Sequence, residues 1–161
     1  MRIPRTIVAP TDLSEFSIEA LRYAEEIARL FNAEIIVLHV IEPKKATDLL
    51  PRPKREEAEF AARRSIIHLL MDHTIVPHNF KLEICHGSAV EGIVKSISQF
   101  HADLVVMSTH GRTGVRHVLM GSVAEQVVRL SPVPVLTIKS EGPDEIAELR
   151  EEDIKINIHL N

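Results

Sequence analysis

Apolar runs of two lengths alternate along the chain. The short ones are rich in β-branched residues and predict strands at 6–10, 34–41, 80–85, 103–107 and 134–138. The run from Glu34 to Ile41 is apolar almost throughout, which predicts a strand covered on both faces. The longer runs repeat at helical spacing and predict helices at 15–31, 55–72, 89–99 and 122–130. In the first helix Ala20, Leu21, Ala24, Ile27, Ala28 and Phe31 share an inward face; in the second Ala58, Ala61, Ala62, Ile66, Leu69 and Leu70 do. Residues 43–54 hold Pro43, Pro51 and Pro53 among lysines and arginines and read as a loop. Ser88 with Glu91, and Ser122 with Glu125, have the spacing of capping boxes for the third and fourth helices. Asp12 and Ser14 compete to cap the first.

Five strands alternating with four helices predict a three-layer α/β/α fold of Rossmann type. The sheet is parallel, because each right-handed crossover carries a helix over one face. In such folds ligands lie beyond the carboxyl ends of the strands, where the strand order reverses. Two strand ends carry chemistry, Pro10-Thr11-Asp12 and Ser108-Thr109-His110-Gly111. Residues 1–140 form this domain, and 141–161 read as a C-terminal extension. Pro143, Asp144 and Glu145 open a short helix over 143–152. Ile154, Ile156, Ile158 and Leu160 then alternate with Lys155, Asn157 and His159, predicting a strand that pairs with a sheet edge of its own subunit or a partner's.

Composition narrows the function. The 161 residues are 45% hydrophobic, enough for one domain with a core. Trp is absent, Tyr occurs once and the net charge is −4, which argues against a nucleic-acid partner. Cys85 is the single cysteine and reads as a small core residue, in keeping with a reducing cytosol. No apolar stretch has the length of a membrane span, and the first residues lead straight into a strand, so a cytoplasmic protein without a membrane partner is expected. His68, His73, His78 and His86 lack the spacing of a zinc site, and His39 reads as a packed neutral side chain inside its strand. No metal site and no catalytic constellation is predicted.

The segment after the fourth strand is the richest in chemistry. Gly111, Arg112, Gly114, Arg116 and His117 form a basic glycine-containing loop that leads to Gly121-Ser122-Val123, a helix start. Glycines permit turns that a Cβ resists. The unpaired N–H groups and positive dipole end of a first helical turn favour an anion. No Lys follows the glycine that opens the helix, so this is not a Walker A loop.

These motifs together resemble those of the universal stress proteins: Pro-Thr-Asp after strand one, His-Val-Ile ending strand two, and Ser-Thr-His-Gly-Arg-Thr-Gly followed by Met-Gly-Ser. The resemblance covers residues 3–139. It implies an adenine-nucleotide alpha-hydrolase-like fold, a homodimer and, in one branch of the family, ATP binding. That branch carries Gly, two residues, Gly, nine residues, Gly, then Ser or Thr. Here Gly111 is followed by nine residues, Arg112 to Met120, and then by Gly121-Ser122, while Ser108 stands in place of the first glycine. By this resemblance Pro10, Thr11 and Asp12 flank the nucleoside and the backbone of Val40 lies at the adenine. Met107, Ser108, Gly111, Gly121, Ser122 and Val123 surround ribose and phosphates. His110 and Arg112 sit beside the phosphates in the same loop. The resulting expectation is an ATP-binding stress-response regulator, a nucleotide-dependent dimeric switch that takes ATP with or without Mg²⁺ and acts on a protein partner. The alternatives are a slow ATPase on the same scaffold and a dimeric adaptor that binds no nucleotide.

Overall fold

A computed structural model describes residues 3–43, 51–75, 79–109 and 120–139. In chain order the elements are β1 (Thr6–Pro10), α1 (Glu15–Phe31), β2 (Glu34–Ile41), α2 (Arg52–Asp72), β3 (Phe80–His86), α3 (Ala89–Gln99), β4 (Leu104–Ser108), α4 (Ser122–Leu130) and β5 (Val135–Ile138). The strands form one sheet in the order β3-β2-β1-β4-β5, with every neighbouring pair parallel. The chain leaves β1 in one direction to build β2 and β3, then returns past β1 to build β4 and β5. The order therefore reverses between β1 and β4, and a crevice opens above their carboxyl ends.

Alternation along each strand sorts the core into two layers. Ile7 and Ala9 of β1, Ile35 and Val37 of β2 and Val106 of β4 pack with Ala20, Leu21 and Ala24 of α1 and with Ile66 and Leu70 of α2. Val8, Ile36, Leu38, Val105 and Met107 point the other way, against Ile93 and Ile97 of α3 and Ala124 and Val127 of α4. The central strands are thus apolar on both faces, as a doubly covered parallel sheet requires. At the amino end of the sheet the Asp103 carboxylate accepts the N–H groups of Arg5 and Thr6, at 2.9 and 3.2 Å, and ties the entries of β1 and β4 together.

Several local expectations need correction. Helix α2 begins at Arg52, three residues before the predicted start, because Pro51 and Pro53 sit at its N-terminus, where a proline's missing N–H costs nothing. Residues 44–50 of the predicted loop lie outside the described residues. Phe31 is 46% exposed at the last position of α1, and Ala61 of α2 is also exposed, so neither belongs to the inward face. Ser88 holds the N-cap position of α3 but makes no side-chain capping bond. Ser122 is the first helical residue of α4, and Gly121 holds its N-cap, so the predicted capping box at Ser122 does not form. Ser14, not Asp12, is the N-cap residue of α1, again without a side-chain capping bond. The predicted helix and strand at 143–161 lie outside the described residues.

Candidate functional site

A cleft of about 500 Å³ lies above the carboxyl ends of β1, β2 and β4, between the starts of α1, α3 and α4. Its β1 side is a compact hydrogen-bonded turn. Thr11 donates its backbone N–H to the carbonyl of Leu38 at 2.8 Å. The Thr11 carbonyl is held by His39 Nδ1 at 2.8 Å, which makes Nδ1 the protonated ring nitrogen, since a carbonyl only accepts. Ser17 Oγ donates to the Ser14 carbonyl at 2.7 Å. Its single hydrogen is thereby used, so in the 2.8 Å contact between the two hydroxyls Thr11 is the donor and Ser17 the acceptor. Thr11 Oγ1 also accepts the Leu13 N–H at 3.1 Å.

The turn places Leu13 in the left-handed region, at φ 66°. That conformation costs a leucine about 1–2 kcal/mol. The flanking bonds hold it: Thr11 Oγ1 from one side, and from the other the Asp12 carboxylate, which accepts both the N–H and the hydroxyl of Ser14. Asp12 is thereby fixed at the cleft wall.

The α4 side is built differently. Gly121 donates its N–H to the Thr109 carbonyl at 2.7 Å, and its own carbonyl accepts from Glu125 at 3.0 Å, starting the helix. Gly121 has φ −67° and ψ 154°, an extended conformation open to any residue. Backbone freedom is therefore not what this position requires of glycine, and the residue lines the cleft. Among the described residues no partner takes the N–H groups of Ser122, Val123 or Ala124, so the positive end of α4 is presented to the cleft.

Of the residues singled out in the sequence, Pro10, Thr11, Asp12 and Val40 line the β1–β2 side of the cleft. Met107, Ser108, Gly121, Ser122 and Val123 line its β4–α4 side. His110, Gly111 and Arg112 lie outside the described residues. The cleft also takes in residues to which no site role was assigned, among them Ser17, Glu42 and Ile93, and His39 and Thr109 from within the motifs. Ser17 was within reach of pattern reading, as a polar residue on the buried face of an amphipathic helix. His39 does pack inside its strand, half-buried, but it also lines the cleft. Cys85 stands half-buried behind the cleft wall. Burial pushes its thiol pKa up, the Glu83 carboxylate adds to the rise, and Lys95 opposes it.

Residues 4–139 match the family model described as the universal stress protein family. The chain belongs to the universal stress protein family. Among its relatives, universal stress protein MJ0531 of Methanocaldococcus jannaschii is 33% identical over 143 residues, 84% of this chain and 82% of that one. The solved structure of MJ0577 from the same organism has a TM-score of 0.75 at 29% identity, covering 88% of this chain and 99% of that chain. A universal stress protein from Archaeoglobus fulgidus, solved in complex with dAMP, shares the fold at 22% identity with a TM-score of 0.60, over 86% of this chain and 100% of that one. This universal stress protein has, among its described residues, no helix long and apolar enough to cross a membrane.

Proposed function

We propose that this universal stress protein binds ATP in the cleft and acts as a nucleotide-dependent dimeric switch in stress-response regulation. The observation that carries the reading is the meeting, in one cleft, of the bare first turn of α4 with the fastened turn at Pro10–Asp12. A concave site of a few hundred cubic ångströms is the size a nucleotide needs. The dAMP held by the Archaeoglobus relative supports an adenine nucleotide as the ligand class. On this reading Pro10, Thr11, Asp12 and Val40 face the nucleoside. Met107, Ser108, Gly121, Ser122 and Val123 surround ribose and phosphates. By the family resemblance His110, Gly111 and Arg112 are assigned to the phosphates as well. Where Mg²⁺ accompanies ATP, the phosphates themselves would carry it into the cleft.

The switch would act through assembly. Strand β5 is an edge strand, Leu136 on it is exposed, and Pro132 and Pro134 before it donate no ladder hydrogen bonds. We assign the homodimer contact to this edge, with a protein partner reading the nucleotide-bound form.

The test is the mass of any small molecule released when the purified protein is denatured, followed by calorimetric titration with ATP. Adenine nucleotide in the first and a 1:1 heat in the second are expected. Neither would leave the dimeric adaptor as the better reading. Sedimentation equilibrium at micromolar concentration is expected to give the mass of a dimer, and a monomer would refute the β5 assignment.

A further inference from the structure

Two helices start at the cleft, and their first turns are treated in opposite ways. Ala89 at the start of α3 and Ser122 at the start of α4 both line it. Each helix carries one glutamate in its first turn, Glu91 and Glu125, so these charges do not distinguish them. Neither helix has a side-chain bond from its own N-cap residue. The difference is Glu42. This residue follows the end of β2, lines the cleft, and accepts the Ala89 N–H on its Oε1 at 3.0 Å. It caps α3 from a position 47 residues away in the chain.

Glu42 itself is exposed, and the docking of α3 is what brings the helix start within its reach. Gly92, one turn into the helix, lies so close to the sheet that a Cβ on it would stand 2.8 Å from Val40 Cγ2 and 2.9 Å from Cys85 Sγ. Helix α3 is therefore pressed against the end of β2, which sets the first turn of α3 beside the residue that follows β2, and the hydrogen bond to Ala89 places the carboxylate. The consequence is a polarised cleft. One end presents the α4 amides, unpartnered among the described residues, and a positive helix terminus. The other presents a carboxylate that cancels the terminus behind it and repels a further anion.

We propose that Glu42 is a selectivity residue of the cleft, which by its charge keeps anionic groups off the first turn of α3. The ligand is then held in one direction, with phosphate at α4 and an uncharged end at β2 and α3. The ligand class is a nucleotide anionic at one end only. This rests on the nucleotide reading of the cleft.

The experiment is a titration of the full-length protein with inorganic phosphate, followed by amide chemical shifts, in wild type, Glu42→Gln and Glu42→Ala. In wild type the amides of Ser122–Ala124 should shift and those of Ala89–Glu91 should not. Both variants should add a response at Ala89–Glu91, with apparent affinity there raised roughly two- to fivefold, the scale of one exposed charge at a helix terminus. Gln keeps the shape and the acceptor for the Ala89 N–H, so it separates charge from loss of the cap. Equal responses at α3 in all three proteins, or none in any, would overturn the proposal. So would a response in Glu42→Ala alone, since shape and not charge would then be the barrier. A parallel titration of wild type with ATP tests the underlying reading by itself: silent amides at Ser122–Ala124 would remove the nucleotide, while the α3 comparison still decides the role of Glu42.

Discussion

At the end of β1, Thr11, Asp12, Ser14 and Ser17 use their side-chain hydrogen bonds on one another and on the turn they form. At the start of α4, Ser122, Val123 and Ala124 leave their N–H groups without a partner among the described residues. The first region is complete without a ligand, and its shape is fixed when the chain folds. The second leaves donors for whatever fills the cleft. A buried polar group without a partner costs about 1–3 kcal/mol, so a protein can leave donors open only where solvent or ligand reaches them. The cleft is such a place, and the contrast separates a scaffold wall from the wall proposed to bind.

Mutations should therefore divide by wall. The largest effect is expected from Gly121→Val. Valine fits the extended backbone at φ −67°, but its side chain fills the approach to the amides. ATP affinity should fall about a hundredfold, equal to ~2.7 kcal/mol, while stability drops by no more than about 1 kcal/mol from the poorer N-cap. Calorimetric titration with a thermal melt reads both, and an unchanged ATP heat would break the comparison on the α4 side. Thr11→Val reverses the pattern. It keeps the shape but strands the Leu13 N–H and removes the donor to Ser17, at about 1–3 kcal/mol of stability. A denaturant melt with an unchanged midpoint would show that the β1 turn does not depend on its hydroxyls.

Gly92→Ala sharpens the same contrast. Overpacking against Val40 and Cys85 costs about 1–3 kcal/mol, and the better helix former returns nearly 1, leaving a net loss of up to about 2 kcal/mol. Cys85 reports on the same contact. With its thiol pKa raised by burial, less of it is thiolate at pH 8 than in a free cysteine, so alkylation by iodoacetamide should be slow in wild type and faster in the variant. Equal alkylation rates would mean that α3 does not loosen. Smallest is Ser108→Gly, which restores the family's glycine at the cleft. One small side chain is removed, so ATP affinity should change by less than ~1 kcal/mol. A gain beyond tenfold would mark the natural protein as a weakened binder and favour the adaptor reading.

Local patterning is enough to locate all nine described elements, most of which bury a face through their own spacing, while β3 and β5 are only partly covered. What periodicity does not carry is anything settled by residues distant in the chain. The four-residue pattern from Ser88 to Glu91 is a good capping box in isolation, yet the Ala89 N–H goes to Glu42 across the sheet. The pattern at Ser122 reads one residue late, because the glycine before it takes the N-cap. Pro53 reads as loop because proline breaks helices in their middle, and in a first turn it does not. On the site, both strand ends are legible from their motifs, and nine of the named residues do line one cleft. Glu42 is not legible in that way, and of His39 only its place in the His-Val-Ile motif is. Glu42 acts through a contact that only the fold creates, and the bond of His39 to the Thr11 carbonyl likewise joins residues far apart in the chain.

Arg63 carries a consequence for assembly. Its guanidinium leaves α2 and donates from Nη1 to the Leu82 carbonyl of β3 at 3.0 Å. Strand β3 is one border of the sheet and β5 the other. A sheet able to recruit strands at both borders can propagate into a fibre, whereas one sealed on a single side can only meet its own copy face to face and stop. With an arginine occupying one carbonyl of the β3 border, the proposed two-fold pairing through β5 would use the more open of the two. A closed pair would then be the end point of growth, with Arg63 obstructing extension at the opposite border.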